Sequence, residues 1–188
     1  MNGDGTYTLS GLLRGRRGTE WAVGTHEAGD RFVLLSSDAF RRIFLEPNGH
    51  VGAQRKYRAL SVGEVFDTAY ETTFTNTAAG LKPYSPCQIS GSRDGSNNLT
   101  ISWIRRTRVG GNWEDGHDVP LGEETEAYEV EIFQGNVKKR TLQSTIQNVV
   151  YSATNQSTDG FTPGDPITLK AYQMSTRVGR GFARQATV

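Results

Sequence analysis

The chain has 188 residues, room for one large β domain or two small ones. Its 21 Lys and Arg against 20 Asp and Glu leave a net charge of +1, too weak a field to recruit nucleic acid or an anionic membrane. With 22 glycines and no long runs of Ala or Leu, the composition favours turns and short strands over helices, and the single cysteine, Cys87, excludes an intramolecular disulfide and a cysteine-built zinc site.

From the start, MNGDGTYTLSG has no basic segment followed by an apolar one, so no secretory signal is expected there. No run approaches the ~20 apolar residues of a membrane span. Work outside a cell would then follow release by another route, such as inside a particle freed by lysis. Tyr7 to Leu13 mixes β-formers with apolar residues and predicts a strand. The RGRRG run at residues 14–18 interrupts it with two glycines that can take positive φ. Glu20 to Val23 reads as a second short strand, and Phe32-Val33-Leu34-Leu35 as a buried one. Residues 41–45 close on the Pro47-Asn48-Gly49 turn, and residues 38–44 suit one helical turn. Residues 54–60 alternate, and residues 64–76, rich in Thr, Val, Phe and Tyr, predict a long strand. The expectation is a small β domain over 1–80, a linker over 81–86 carrying Pro83 and Pro86, and a second domain over 87–188.

In that second part the rhythm is regular. Cys87–Arg93 predicts a strand, and Leu99–Ile104 alternates with Leu99, Ile101 and Trp103 on one face. A long polar loop over 110–122 follows. Residues 127–133 place Tyr128, Val130 and Ile132 inward and Glu129 and Glu131 outward. Strands over 137–142, 146–151, 167–174 and 182–188 bring the total to about seven, spaced by turns as a β-sandwich requires. The fold class expected is all-β, with no helix of ordinary length.

Trp103 on the second of these strands and Tyr128 opening the third resemble the core of a fibronectin type III domain, whose large rings bridge two sheets about 10 Å apart. Two longer signatures go further. One runs from Leu12 to Ala22 (LLRGRRGTEWA), with His26, Gly29-Asp30 and the apolar run at 32–35. The other runs from Ile101 to Arg108 (ISWIRRTR), with Trp113, the VPLGEE run at 119–124, Glu126 and Tyr128-Glu129-Val130. Together they resemble the C-terminal region of the large tail-tip hub, or host-specificity, proteins of tailed phages and gene transfer agents. Those hubs carry further domains ahead of this region, so the chain corresponds to their end alone, as a separate product or as a fragment. The resemblance implies a structural virion protein of the tail tip or baseplate, made in the bacterial cytoplasm, linking the hub to peripheral or host-contacting parts. Its implied partners are other tail proteins, copies of itself in a threefold arrangement and a host-surface receptor, with no nucleic acid.

Two charged groups stand out. Arg14, Arg16 and Arg17 could clamp an anion with glycine-freed amides and guanidinium forks, but are expected to form a docking turn paired with carboxylates. Arg105, Arg106 and Arg108 face the acidic set Glu123, Glu124 and Glu126, which predicts an ion-pair network closing the loop, or a charged docking face. Trp113 is expected to pack over the sandwich; the rival reading has it stack on a host glycan. Asp115, His117 and Asp118 offer cation or acid–base chemistry, as in a wall or capsule hydrolase, but no Asp/Glu pair stands in a recognised signature. No Gly-x-Ser-x-Gly elbow, His-Glu-x-x-His or phosphate-binding Walker loop occurs. The expectation is a protein that is not an enzyme and takes no cofactor.

Overall fold

A computed structural model describes residues 3–33, 51–112 and 118–188. The chain divides into two compact units, Ala28–Leu81 and a larger one formed by Met1–Glu27 together with Lys82–Val188. The first 27 residues thus group with the C-terminal sandwich instead of forming part of a 1–80 domain.

In the smaller unit, β1 (Gln54–Arg58) pairs antiparallel with β2 (Glu71–Thr75), in register from Gln54 opposite Thr75 to Arg58 opposite Glu71. Glu71 draws in Lys56 at 2.8 Å and Arg58 at 3.0 Å, and Tyr57 meets Phe74 edge-on across the pair. The long strand expected over 64–76 breaks. Glu64 accepts a hydrogen bond from the Ser61 amide at 2.6 Å, and Arg58 lies over the Phe66 ring and donates to the Phe66 carbonyl at 2.9 Å. These local bonds turn Phe66–Thr68 into a 3-10 turn, and extended backbone resumes only at Glu71. The expected turn at 47–49, the run at 41–45 that it closes and the helical turn at 38–44 lie outside the described residues.

The larger unit holds the core. Its strands are β3 (Cys87–Arg93), β4 (Leu99–Ile104), β5 (Tyr128–Gln134), β6 (Val137–Ser144), β7 (Asn148–Tyr151), β8 (Thr168–Ser175), the two-residue β9 (Gly179–Arg180) and β10 (Arg184–Thr187). One sheet runs β3-β4-β7; the other runs β10-β8-β5-β6, with β9 adding to β8, and every pairing is antiparallel. The chain crosses between sheets after β4, after β6 and after β7. Three strands against four in that order is the fibronectin type III sandwich, and the fold is all-β.

Alternation builds the core. Leu99, Ile101 and Trp103 of β4 and Tyr151 of β7 face Tyr128, Val130 and Ile132 of β5 and Leu169 and Ala171 of β8. Trp103 and Tyr128 come from opposite sheets, and their rings meet edge-to-face at 5.0 Å. Each large side chain buried this way contributes ~1.5–3 kcal/mol. Glu131, expected outward, sits on the outer sheet face but is buried: Tyr172, Lys138 and Arg180 cover it.

A short helix, α1 (Ala153–Thr158), follows β7, and no sequence expectation anticipated it. The Ser152 hydroxyl caps it by accepting from the Asn155 amide at 3.2 Å. Gln156, fully buried, accepts from Arg93 at 3.0 Å and donates to the carbonyls of Asn97 and Tyr151. The expected 81–86 linker is not free-standing. Pro83 and Pro86 are fully buried, and the Phe182 amide donates to the Pro83 carbonyl at 3.1 Å. Proline needs no ladder partner for its nitrogen, so this segment lies against the sheet edge at no cost in lost donors.

Candidate functional site

Residues 14–23 form a strap on the sandwich. The strands expected at Tyr7 to Leu13 and Glu20 to Val23 do not form. Gly15 (φ 69°), Arg17 (φ 55°) and Gly18 (φ 79°) take left-handed backbone that a strand cannot hold, and two 3-10 turns, Arg16–Gly18 and Glu20–Ala22, result. Residues 6–10 lie outside any strand, and so do the exposed Phe32 and Val33. Leu34 and Leu35 lie outside the described residues.

Three contacts fasten the strap. Gly18 is buried flat against Tyr84, so close that a Cβ there would sit 2.3 Å from the ring. Arg106 donates to Glu20 at 2.5 Å while its guanidinium lies over the Tyr84 ring at 5.3 Å. Trp21 stacks on Phe182, with ring centroids 5.6 Å apart and planes 14° from parallel, and the Lys82 ammonium lies 5.8 Å from the centre of the Phe182 ring. Partial burial, the largest single effect, opposes the charged form of Glu20, yet the hydrogen bond and charge of Arg106, a backbone hydrogen bond and the charge of Arg184 together outweigh it and hold the carboxyl below its ordinary range.

The strap's own arginines behave otherwise than expected. Arg14, Arg16 and Arg17 are exposed and form no ion pair with a described residue. It is Glu20 that carries the charged contact, from the strap to β4's end.

The charged insertion between β4 and β5 separates into distinct pairs. Arg105 donates to Asp118 at 2.7 Å and to the Val119 carbonyl at 2.6 Å, with Glu126 at 3.6 Å. Arg108 donates to Glu123 at 3.0 Å, and the Glu123 side chain is only 3% exposed. Arg106 leaves this group for the strap. Glu124 turns to Arg177 at 2.7 Å and to the Thr176 hydroxyl at 2.9 Å. Glu126 accepts from the Tyr128 hydroxyl at 2.8 Å, and burial together with that carboxylate pushes the Tyr128 pKa up. Trp113, Asp115 and His117 lie outside the described residues; Asp118 is engaged by Arg105. Among the described residues no three His, Cys, Asp or Glu side chains are placed to hold a metal, and no helix is long and apolar enough to cross a membrane.

A further polar cluster went unread in the sequence. Arg180 of β9 spans Glu129 and Glu131 of β5, donating to Glu129 at 2.8 Å through Nε and to Glu131 at 2.9 Å, and its guanidinium lies 4.5 Å over Tyr172. Alternation places Glu129, Glu131 and Tyr172 on one outer face. No local pattern signals that Arg180, 51 residues after Glu129 and 49 after Glu131, covers them.

A sequence model of the family described as Rcc01698-like, C-terminal, matches residues 1–33, which include the strap. No curated protein matches the chain. Among solved structures, the chain is similar to domains d3–d4 of the rat CD45 extracellular region, at 11% identity over 87% of this chain and 76% of that one, TM-score 0.41. It is also similar to the FN5 domain of Drosophila Lar, at 13% identity over 56% of this chain and 96% of that one, TM-score 0.31. Another similar structure is the Clostridium perfringens spore cortex lytic enzyme SleM, at 13% identity over 71% of this chain and 38% of that one, TM-score 0.37.

Proposed function

We propose that the chain is a structural protein of the tail tip or baseplate of a phage or phage-like particle, linking the tail hub to peripheral or host-contacting parts. The observation that supports it is the Glu20–Arg106 contact. It joins the two signatures that resemble tail-tip hubs, LLRGRRGTEWA and ISWIRRTR, which stand far apart in sequence. The match of residues 1–33 to the Rcc01698-like, C-terminal family covers the first of these. In this reading the work is geometric and not catalytic. The paired carboxylates and guanidiniums of the insertion stiffen the scaffold. The exposed Arg14, Arg16 and Arg17 dock on acidic side chains of a neighbouring tail subunit, and the copies are arranged about a threefold axis. The protein is made in the bacterial cytoplasm and ends in the virion, where a host-surface receptor is a further partner.

The test is mass spectrometry of purified particles, with antibody-gold labelling of the tail tip. Detection at the tip in a fixed ratio to a tail protein is expected. Absence from particles, with the purified chain staying a monomer that joins no tail protein, overturns the reading. Reversing the turn's charge (Arg14, Arg16 and Arg17→Glu) should leave the fold intact and reduce incorporation about tenfold or more, the loss of one or two charge-assisted contacts.

A further inference from the structure

Beside the strap's fastening lies a cleft of about 190 Å³, well below the ~300–1,000 Å³ of pockets for drug-sized ligands and suited to one ring. Its lining includes Glu20 and Trp21 of the strap, Ser85 of the docked proline segment, and Phe182, Arg184 and Gln185 at the start of β10. Three features distinguish it from a packing defect. Trp21 lines the cleft and, though stacked on Phe182, remains 59% exposed, which leaves aromatic surface for a ligand to cover. Ser85 is buried, and its hydroxyl has no hydrogen-bond partner among the described residues. Arg184 is exposed and forms no ion pair there either, while Glu20 is already held by Arg106.

These features select a ligand. An aromatic face ringed by groups that both donate and accept, Ser85 and Gln185, suits a ring with an apolar face and a rim of hydroxyls. Two guanidiniums, Arg106 and Arg184, against the one carboxylate of Glu20 leave a positive charge in excess. We propose that this cleft binds a single pyranose ring carrying a carboxylate, with the ring face on Trp21 and the carboxylate on Arg184. A base could stack on Trp21 equally well, but it would present fewer groups to the mixed donors and acceptors of the rim. This ligand is inferred without Trp113 and without the tail-tip reading.

The test is saturation-transfer NMR on the full chain with methyl glucuronide as probe, and with methyl glucoside and uridine monophosphate for comparison. Saturable transfer to the uronide is expected, about tenfold weaker for the glucoside and about tenfold weaker after Arg184→Gln, the loss of one charge-assisted hydrogen bond. Trp21→Ala should abolish transfer and Trp21→Phe retain it. Arg184→Gln alters an exposed side chain without an ion pair, so its result does not hinge on the strap staying fastened. The proposal is overturned by no saturable transfer to the uronide, by equal binding of the glucoside, by tighter binding of the nucleotide, or by binding that survives both Arg184→Gln and Trp21→Ala.

Discussion

Gly18 shows how one residue decides the course of the strap. Its φ of 79° is open to glycine and costly for any other side chain, and a Cβ would run into Tyr84 at 2.3 Å. Gly18→Val should cost ~1–3 kcal/mol by strain and overpacking. Thermal unfolding measures that loss, and trypsin cleavage at Arg14, Arg16 or Arg17 should accelerate as the strap lifts; an unchanged cleavage rate refutes the role given to Gly18. The Glu20–Arg106 pair is a smaller effect. Its side chains are 36% and 28% exposed, so a double-mutant cycle with Glu20→Gln and Arg106→Ala should return no more than ~1 kcal/mol of coupling. Neither role was legible in advance. Glu20 reads in sequence as a charge diluting an arginine patch, because its partner lies 86 residues away. The apolar and β-branched residues around the glycines spell a strand until the backbone angles at Gly15 and Gly18 are known.

At the scale of elements, the strands that alternate were readable and those that bend were not. Each of β4, β5 and β8 carries a strict inside–outside pattern, and each forms close to its expected position, with Leu99, Ile101, Trp103, Tyr128, Val130 and Ile132 buried as expected. Helix α1 escaped notice because Ala-Thr-Asn-Gln-Ser-Thr contains mostly weak helix formers. Tertiary contacts hold it instead. Asp159 at its C-cap is badly placed for the helix dipole. Arg140 offsets this with two hydrogen bonds, at 2.6 and 3.0 Å, and the buried Tyr151 hydroxyl adds a third at 2.7 Å. The hydrogen bonds from Arg140 hold the Asp159 carboxyl below its ordinary range even though burial opposes this. A depressed folded-state pKa gives stability that is full above the unfolded carboxylate value, near ~4, and is lost as pH falls through the lower folded value. Asp159→Asn should therefore cost ~1–3 kcal/mol at neutral pH. It should also flatten the fall in unfolding free energy below about pH 4. Denaturant titrations across that range check both, and parallel pH profiles for the two proteins would contradict the assignment.

For the whole molecule, the division into units matters most. Replacing residues 28–81 by a flexible linker should leave Met1–Glu27 and Lys82–Val188 as a folded sandwich with one cooperative unfolding transition, read by calorimetry and by dispersed amide signals. The excised 28–81 piece should show neither: among its described residues, the two paired strands leave Tyr70 84% exposed and supply little core. A sandwich unable to fold without the insert would refute the division. The boundary at 27 could not be read from composition, because nothing in residues 1–33 changes there; only the contacts of Gly18, Glu20 and Trp21 assign the start of the chain to its end.

That assignment has a consequence for biosynthesis. Trp21 leaves the ribosome long before Phe182, its stacking partner 161 positions later (182 − 21). At ~5–20 residues per second the strap waits roughly ten to thirty seconds for its seat. Throughout that interval Trp21 and the three arginines of the strap are open to chaperones and proteases. A chain broken off before Phe182 leaves Trp21 without its stacking partner. Nascent chains stalled on either side of Phe182 should differ in cleavage at residues 14–27.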